Sequence, residues 1–257
     1  MNIVIKTEKE IESMRKGGKE LARIMEEIGK RIIPGENTHE LDKLARKLVF
    51  DIGGIAVFEG YGEESNPYPG AVCTSINSEI VHGIPSVDRI LKSGDIVKID
   101  IGMKFEGMIT DMSRTFACGK IAPNAHKLMK VTKESLDKGI EKIKAGAKLS
   151  EYSIAVDSYV RSYGFLPVRE LIGHGVGREL HEDPQIPNFK SDDKEVILKE
   201  GMTLALEPMI NEGTSKIKLM SDGWTFVTAD GKLSAHFEDT VVVTKGGCEI
   251  LTRKASS

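Results

Sequence analysis

The chain is expected to fold in the α+β class as two similar halves, and two internal repeats carry that expectation. A pair of helical segments returns at an offset of 111 residues, with Gly35 matching Gly146, Glu40 Glu151, Leu41 Tyr152, Leu48 Tyr159, Val49 Val160 and Gly53 Gly164. A strand segment returns at nearly the same spacing. Gly94 to Asp100 and Gly201 to Glu207 each run from a glycine to a carboxylate six residues on, an offset of 107. Two αα-plus-strand halves about a pseudo-twofold axis would bring those two acids together at the central seam, where ligand sites often form.

Lys9 to Ile32 places Ile11, Met14, Gly18, Leu21, Ile24, Met25 and Ile28 at helical spacing, which predicts a helix stopped by Pro34-Gly35. Thr38 is the expected N-cap of a second helix that buries Leu41, Leu44, Ala45, Leu48 and Val49, with Gly53-Gly54 past its end. The apolar run Ile96 to Ile99 predicts a strand closed by Asp100, and Asp111 follows eleven residues on, past a glycine-containing turn. Pro123 to Ile143 predicts a third helix ended by Ala145-Gly146, and Ser150 to Tyr163 a fourth. Met202 to Leu206 predicts a strand closed by Glu207, and Glu238 opens another through Val241-Val242-Val243.

No low-complexity linker divides the 257 residues, and 40% hydrophobic with 29% charged residues is the profile of a soluble globular protein with one large core. A formal charge of −3 gives no electrostatic case for nucleic-acid or membrane binding. Met1 to Glu10 lack the apolar core of a signal peptide, and no stretch approaches the ~20 apolar residues of a membrane span. Cys73, Cys118 and Cys248 are far apart and odd in number, which points to thiols in a reducing cytoplasm.

Asp100, Asp111, His174, Glu207 and Glu238 form a candidate ligand set, read on strand ends and tight turns. A carboxylate buried without a partner loses several kcal/mol of hydration or is forced neutral, so four of them on such apolar strands imply a cation. For any one of these acids alone, a solvated carboxylate is the ordinary outcome; the set carries the argument. The oxygen-rich donors suit Mn²⁺, Fe²⁺, Co²⁺ or Zn²⁺ and do not select among them. Five ligands with four negative charges overfill a single four-coordinate site. Two ions are therefore expected, about 3.5–4 Å apart on bridging carboxylates and able to generate a hydroxide nucleophile near neutral pH.

Around these ligands lie longer motifs. Ser75 to Pro85, Asp100-Ile101-Gly102, Thr110 to Phe116, Gly173-His174-Gly175-Val176-Gly177, His181-Glu182-Asp183-Pro184, Glu207-Pro208-Met209, Asp222-Gly223-Trp224 and Ser234 to Thr240 occur in that order. Together they resemble the type I (bacterial-type) methionine aminopeptidase family across nearly the whole chain. The resemblance implies the pita-bread fold, an antiparallel sheet backed by two pseudo-twofold-related helix pairs. It also implies one catalytic metallopeptidase domain over 1–257, with halves of about 1–120 and 121–257.

By that resemblance Asp100 would chelate one metal and His174 the other, Asp111 and Glu238 would bridge, and Glu207 would bind metal and relay a proton from the nucleophilic water. His82 and His181 would contact the scissile peptide near its nitrogen and its carbonyl oxygen, where an oxyanion needs a positioned donor and the leaving amine a proton. His39 and His126, on helices, are read as ordinary core or surface histidines. Tyr68, Cys73, His82 and Trp224 would line an apolar methionine pocket, with Tyr61 contributing. The implied reaction removes the initiator methionine from nascent polypeptides when the next residue is small, by attack of a dimetal-held hydroxide. The implied enzyme is a cytoplasmic monomer, and any ribosome contact would use the catalytic domain, because no zinc-finger or proline-rich extension precedes the first helix.

Three features depart from the family pattern. Gly62 to Pro67 is about four residues longer than expected, Leu180 stands where an aromatic residue is frequent, and His236 stands where Gln is frequent. Two other readings share parts of the pattern. A proline-specific peptidase of the same fold has similar Asp111 to Phe116 and Gly173 to Gly177 segments. Such relatives usually carry a large extra N-terminal domain, and only about 90 residues precede the first metal strand here. A metal-free binding module for peptide, ribosome or RNA would have lost ligands that this chain keeps.

Overall fold

The computed structural model describes residues 2–191 and 195–253, so the two ends of the expected 1–257 span lie outside the described residues. In chain order the elements begin with α1 (Glu8–Gly29), α2 (Thr38–Asp51), β1 (Ile55–Ala56), β2 (Cys73–Ile76), β3 (Glu79–Val81), β4 (Ile96–Phe105) and β5 (Met108–Ala117). Then follow α3 (Pro123–Ile140), α4 (Leu149–Ser162), β6 (Leu166–Pro167), β7 (Gly173–Gly175), β8 (Glu182–Ile186) and β9 (Thr203–Leu206). The last are β10 (Met209–Asn211), β11 (Ile217–Leu219), β12 (Phe226–Thr228), β13 (Ser234–His236), β14 (Glu238–Val243) and β15 (Cys248–Ile250).

α1 starts at a reciprocal cap: the Glu10 N–H donates to Thr7 Oγ1 (3.3 Å) and the Thr7 N–H to the Glu10 carboxylate (2.8 Å). It ends at Gly29, earlier than the expected Ile32, because the chain tightens into i→i+3 turns through Ile28 and Gly29 that still bury Ile32. α3 ends in the same way at Ile140, and the following turns bury Ile143. The cap of α2 differs from expectation. Asn37, in extended backbone, accepts the Glu40 N–H (3.0 Å), whereas Thr38 is already helical and fully buried. The Thr38 hydroxyl instead joins α2 to the loop before β4, donating to Ser86 O and accepting the Ser86 N–H.

The main sheet is antiparallel throughout, in the order β1-β4-β5-β14-β9-β7-β8, with β2 also on β4 and β15 on β14. At the β5–β14 seam the two halves meet, with β4 next to β5 on one side and β9 next to β14 on the other. α1 and α2 pack Leu21, Ile24, Ile28, Leu41 and Ala45 against Val97, Ile99 and Ile101 of β4. α3 and α4 pack Leu128, Tyr152 and Val156 in the cluster that holds Leu204 and Val241. The repeated glycines also correspond: Gly35 and Gly146, Gly53 and Gly164, and Gly94 and Gly201 all have positive φ, the region glycine enters without strain. This is the α+β arrangement of two helix pairs behind one sheet.

A further expectation is corrected. Asp100 and Asp111 do not sit at strand ends; both lie inside ten-residue strands, since Ile101 to Phe105 continue the ladder with β5. Two small sheets, β13-β10-β6 and β11-β12-β3, wall the open side. Among the described residues no helix is long and apolar enough to cross a membrane.

Candidate active site

The β4–β5 register sets Gly102 opposite Asp111 and Asp100 opposite Ser113, so Asp100 and Asp111 share one face, two residues apart along the hairpin. Gly102 keeps that face open, because a Cβ there would lie 2.8 Å from the Phe58 ring. Across the seam β14 begins with Glu238 opposite Ser113. Thr240 ties the two strands: its Oγ1 accepts the Asp111 N–H (2.9 Å) and donates to Asp111 O (2.7 Å). Beneath Glu238, Arg114 donates to the Glu238 carbonyl and to Asp239 (2.6 Å), while Arg253 pairs with the other Asp239 oxygen. The acids are thus held by backbone and cationic supports that leave one oxygen each of Asp100, Asp111 and Glu238 without a hydrogen-bond partner.

From the other half, β9 delivers Glu207 just past Leu206 and β7 delivers His174. The His174 Nδ1–H donates to Gly175 O (2.9 Å), which leaves the Nε2 lone pair facing Glu207 Oε1 at 3.4 Å. Behind Glu207, Tyr152 donates to Asn188 Oδ1 (2.8 Å), and Asn188 donates to the Glu207 carbonyl (3.0 Å). All five sequence-predicted ligand residues are therefore buried together in one cluster, and Asp111, His174 and Glu238 each present a ligand atom within 4.8 Å of the others.

Electrostatics show that the cluster suits a cation. Burial, together with neighbouring carboxylates, pushes Asp100, Glu207 and Glu238 well above the usual carboxyl range, and burial raises Asp111 to about 7. Asp100 Oδ1, Asp111 Oδ1 and Glu238 Oε1 are buried without a hydrogen-bond partner. Divalent cations bound here would offset both penalties, and the oxygen-plus-imidazole donor set fits Mn²⁺, Fe²⁺, Co²⁺ or Zn²⁺. Burial likewise lowers the imidazoles, His174 to about 3, His236 to about 3 and His82 to about 4, so they are neutral near pH 7.

The cluster floors a cavity of about 260 Å³, the size of a small ligand pocket. Tyr68, Cys73, His82, His181 and Trp224 all line it, with Tyr61 and Leu180. His82 projects from the end of β3 with φ 59°, a conformation uncommon outside glycine that recurs at functional sites. His181 stacks edge-on against His174, ring centroids 4.3 Å apart, and its Nδ1 is 2.5 Å from the Tyr61 hydroxyl. The Tyr68 hydroxyl donates to Gly83 O (2.9 Å), and the Tyr68 ring meets Trp224 edge-on. Cys73 is a free, fully buried thiol. His39 and His126 stand apart on α2 and α3.

Sequence reasoning missed Phe58, Val81, Glu170, Leu171, Ile172 and Met209 in the pocket wall. Val81 and Met209 lie within the motifs Ser75 to Pro85 and Glu207-Pro208-Met209, and Glu170 to Ile172 lead into the ligand strand at Gly173-His174; Phe58 had no such signal.

The comparisons with known proteins agree with this geometry. The model of metallopeptidase family M24 matches residues 12–245. The chain is 47% identical over 251 residues to methionine aminopeptidase 1 of Bacillus subtilis strain 168, covering 98% of this chain and 99% of that one. It superposes on the crystal structure of methionine aminopeptidase from Thermotoga maritima with a TM-score of 0.94 at 42% identity, covering 98% and 100% of the two chains. The prolidase of Pyrococcus horikoshii shares the fold at a TM-score of 0.76 and 23% identity, and the chain covers 64% of it.

Proposed function

This chain belongs to metallopeptidase family M24, and we propose that it removes the N-terminal methionine of proteins as a metal-dependent aminopeptidase. The observation that carries this reading is the buried cluster of four acids and His174 flooring a pocket walled by Tyr68, Cys73 and Trp224. A cavity of about 260 Å³ takes one unbranched side chain and the peptide group behind it, and its apolar and sulfur lining suits a thioether.

Asp100 would hold one divalent ion and His174 another, with Asp111 and Glu238 shared and Glu207 completing the set; Co²⁺, Mn²⁺, Fe²⁺ and Zn²⁺ all suit these donors. Bound there, such ions supply Lewis acidity and lower the pKa of water toward neutrality. The Glu207 carboxylate takes the proton from the attacking water as general base and passes it toward the leaving nitrogen as general acid. The Tyr61 hydroxyl lies 2.5 Å from His181 Nδ1; donating there, it would place the ring proton on Nε2, the atom then free to donate to the peptide oxygen as it gains charge. His82 lies between Trp224 and Phe226 in the pocket wall, from where it would stand beside the scissile nitrogen. A small residue after the methionine avoids crowding the acidic floor. The setting is a cytoplasmic monomer that meets nascent chains, at the ribosome or after release.

The test is to incubate metal-loaded protein with Met-Gly-Met-Met and with an Xaa-Pro dipeptide, and to weigh the products. Release of methionine and Gly-Met-Met, with the dipeptide intact, is expected. Cleavage of the dipeptide alone would favour the proline-specific reading, which already has to account for a chain covering only 64% of the prolidase it resembles.

A further inference from the structure

We propose that His236 is a sixth donor of the metal centre, an imidazole ligand through Nε2, so that Glu207 stands between two imidazoles. This rests on the metal-dependent reading above and extends it with a residue outside the five-ligand set.

The geometry comes first. His236 ends β13, is 1% exposed, and points Nε2 at Glu207 Oε2 from 3.4 Å. On the other side of the same carboxylate, His174 Nε2 faces Oε1 at the same 3.4 Å. Ligand atoms around a tetrahedral ion with bonds of about 2.1 Å stand roughly 3.4 Å apart, so each nitrogen–oxygen pair has the spacing of two ligands on one ion. Two trios are present among the described residues, Asp111–His174–Glu238 and Glu207–His236–Glu238, and in each the ligand atoms lie within 4.8 Å of one another. They share Glu238, the residue proposed to bridge, and each contributes its own imidazole. A centre with two ion positions, one imidazole at each, follows from that overlap.

Hydrogen bonding points the same way. Neither ring nitrogen of His236 has a partner, although the ring is buried. A buried polar atom left so carries its desolvation cost uncompensated, and a bond from Nε2 to a cation would offset that penalty. The backbone fixes the ring's origin: the His236 N–H donates to Thr115 Oγ1 (3.0 Å), Thr115 Oγ1 donates to His236 O (2.7 Å), and β13 pairs His236 with Met209. The residue is therefore held in place beside Glu207. Gln, frequent at this position in the resembling family, offers no imidazole nitrogen.

The experiment counts imidazoles. X-ray absorption on protein loaded with two Zn²⁺ should show two imidazole ligands per pair of ions in the natural chain and one in His236→Gln. Calorimetric titration of Zn²⁺ should show one of the two ions weakened by at least the 10–100-fold that loss of an outer partner costs. Thermal unfolding without metal establishes that the variant is folded, and the count in the natural chain decides the matter even if it is not. A single imidazole per pair of ions in the natural chain, or an unchanged Zn²⁺ titration in folded His236→Gln, overturns the proposal. Protein that binds Zn²⁺ and releases methionine yet shows one imidazole sinks only the role of His236, whereas protein that binds no divalent ion sinks the metal-dependent reading itself.

Discussion

His174 sits between two glycines, and neither Gly173 nor Gly175 is among the glycines with positive φ, so backbone freedom does not explain them. Close approach does. A Cβ at Gly175 would lie 2.2 Å from Asp183 O and 2.8 Å from its carbonyl carbon, and one at Gly173 would lie 2.5 Å from Ala205 O. The obstacles are backbone atoms of or beside β8 and β9, between which β7 is paired, and a strand held in a ladder cannot rotate away as a side chain can. Gly175→Ala therefore has to part β7 from β8 by about 1 Å to reach the 3.4 Å of an ordinary contact. Overpacking of this kind costs about 1–3 kcal/mol. In a chain of this size that lowers Tm by roughly 2–12 °C.

The same displacement reaches the site, because β7 carries the imidazole that faces Glu207 at 3.4 Å. A misplacement of ~1 Å can cost on the order of 100-fold in rate. Thermal unfolding with and without Zn²⁺, bound-metal analysis after dialysis, and turnover of Met-Gly-Met-Met measure the three consequences. Gly246→Ala is the control, since a Cβ there meets nothing within 4 Å. If Gly175→Ala keeps the natural Tm, metal content and rate, close packing around β7 does not position His174, and the reasoning fails.

Asp111→Asn and Glu238→Gln should each lower occupancy of both ions, whereas His174→Ala should chiefly empty one; full two-ion occupancy in Glu238→Gln by metal analysis would end the bridging assignment. Formylated peptides should not be cut, and Met-Leu and Met-Lys peptides should be cut far more slowly than Met-Gly and Met-Ala, so equal rates would contradict the proposed floor. His82→Ala and His181→Ala should keep their metal while the rate falls roughly 100-fold, His181→Ala mostly in kcat; a metal-depleted His181→Ala protein rescued by Mn²⁺ would reverse that role. Burial, and secondarily His181, holds His82 at about 4, below the ordinary histidine value of about 6.5. The unfolded chain then binds the extra proton first, so stability from this group is full above about 6.5 and is lost as pH falls toward 4, by no more than about 3 kcal/mol. Unfolding of metal-loaded His82→Asn between pH 4 and 7 should be correspondingly less pH-dependent, and an identical slope would refute this.

Much of the fold was legible because glycine punctuates it: Gly35 and Gly146, and Gly94 and Gly201, mark turns of positive φ that few other residues tolerate, so the repeat survives where apolar residues have drifted. Exact ends were less legible. Asn37 and Thr38 are both good caps, and only Ser86, brought in from 48 residues away, decides that the Thr38 hydroxyl is used elsewhere. The mid-strand positions of Asp100 and Asp111 are not legible from where an apolar run ends, because a strand with its own ligand face can carry an acid mid-length. The pocket wall was least legible. Phe58, Leu171 and Met209 come from three separate segments, have no spacing in common, and become neighbours only once the small sheets close over the main one.

The lengthened segment Gly62 to Pro67, a departure when read in sequence, has an assignable contact in the fold. The Trp224 Nε1–H donates to Asn66 O (3.1 Å), and the Asn66 side-chain amide donates to Asp222 O (3.2 Å). Gly62, at φ 100°, lets the chain pass so close to the indole that a Cβ would lie 2.6 Å from its Cη2. The chain on either side of this segment makes further pocket contacts, Tyr61 with His181 and Tyr68 with Trp224. An indole on a surface turn has few neighbours to hold its ring, and an aromatic wall orients a flexible thioether only if that wall is itself fixed. The longer loop therefore braces the one tryptophan of the chain against the pocket: it leaves and returns at Tyr61 and Tyr68, joined by the Tyr68 N–H to Tyr61 O bond (2.8 Å), and its extra residues reach out to Trp224.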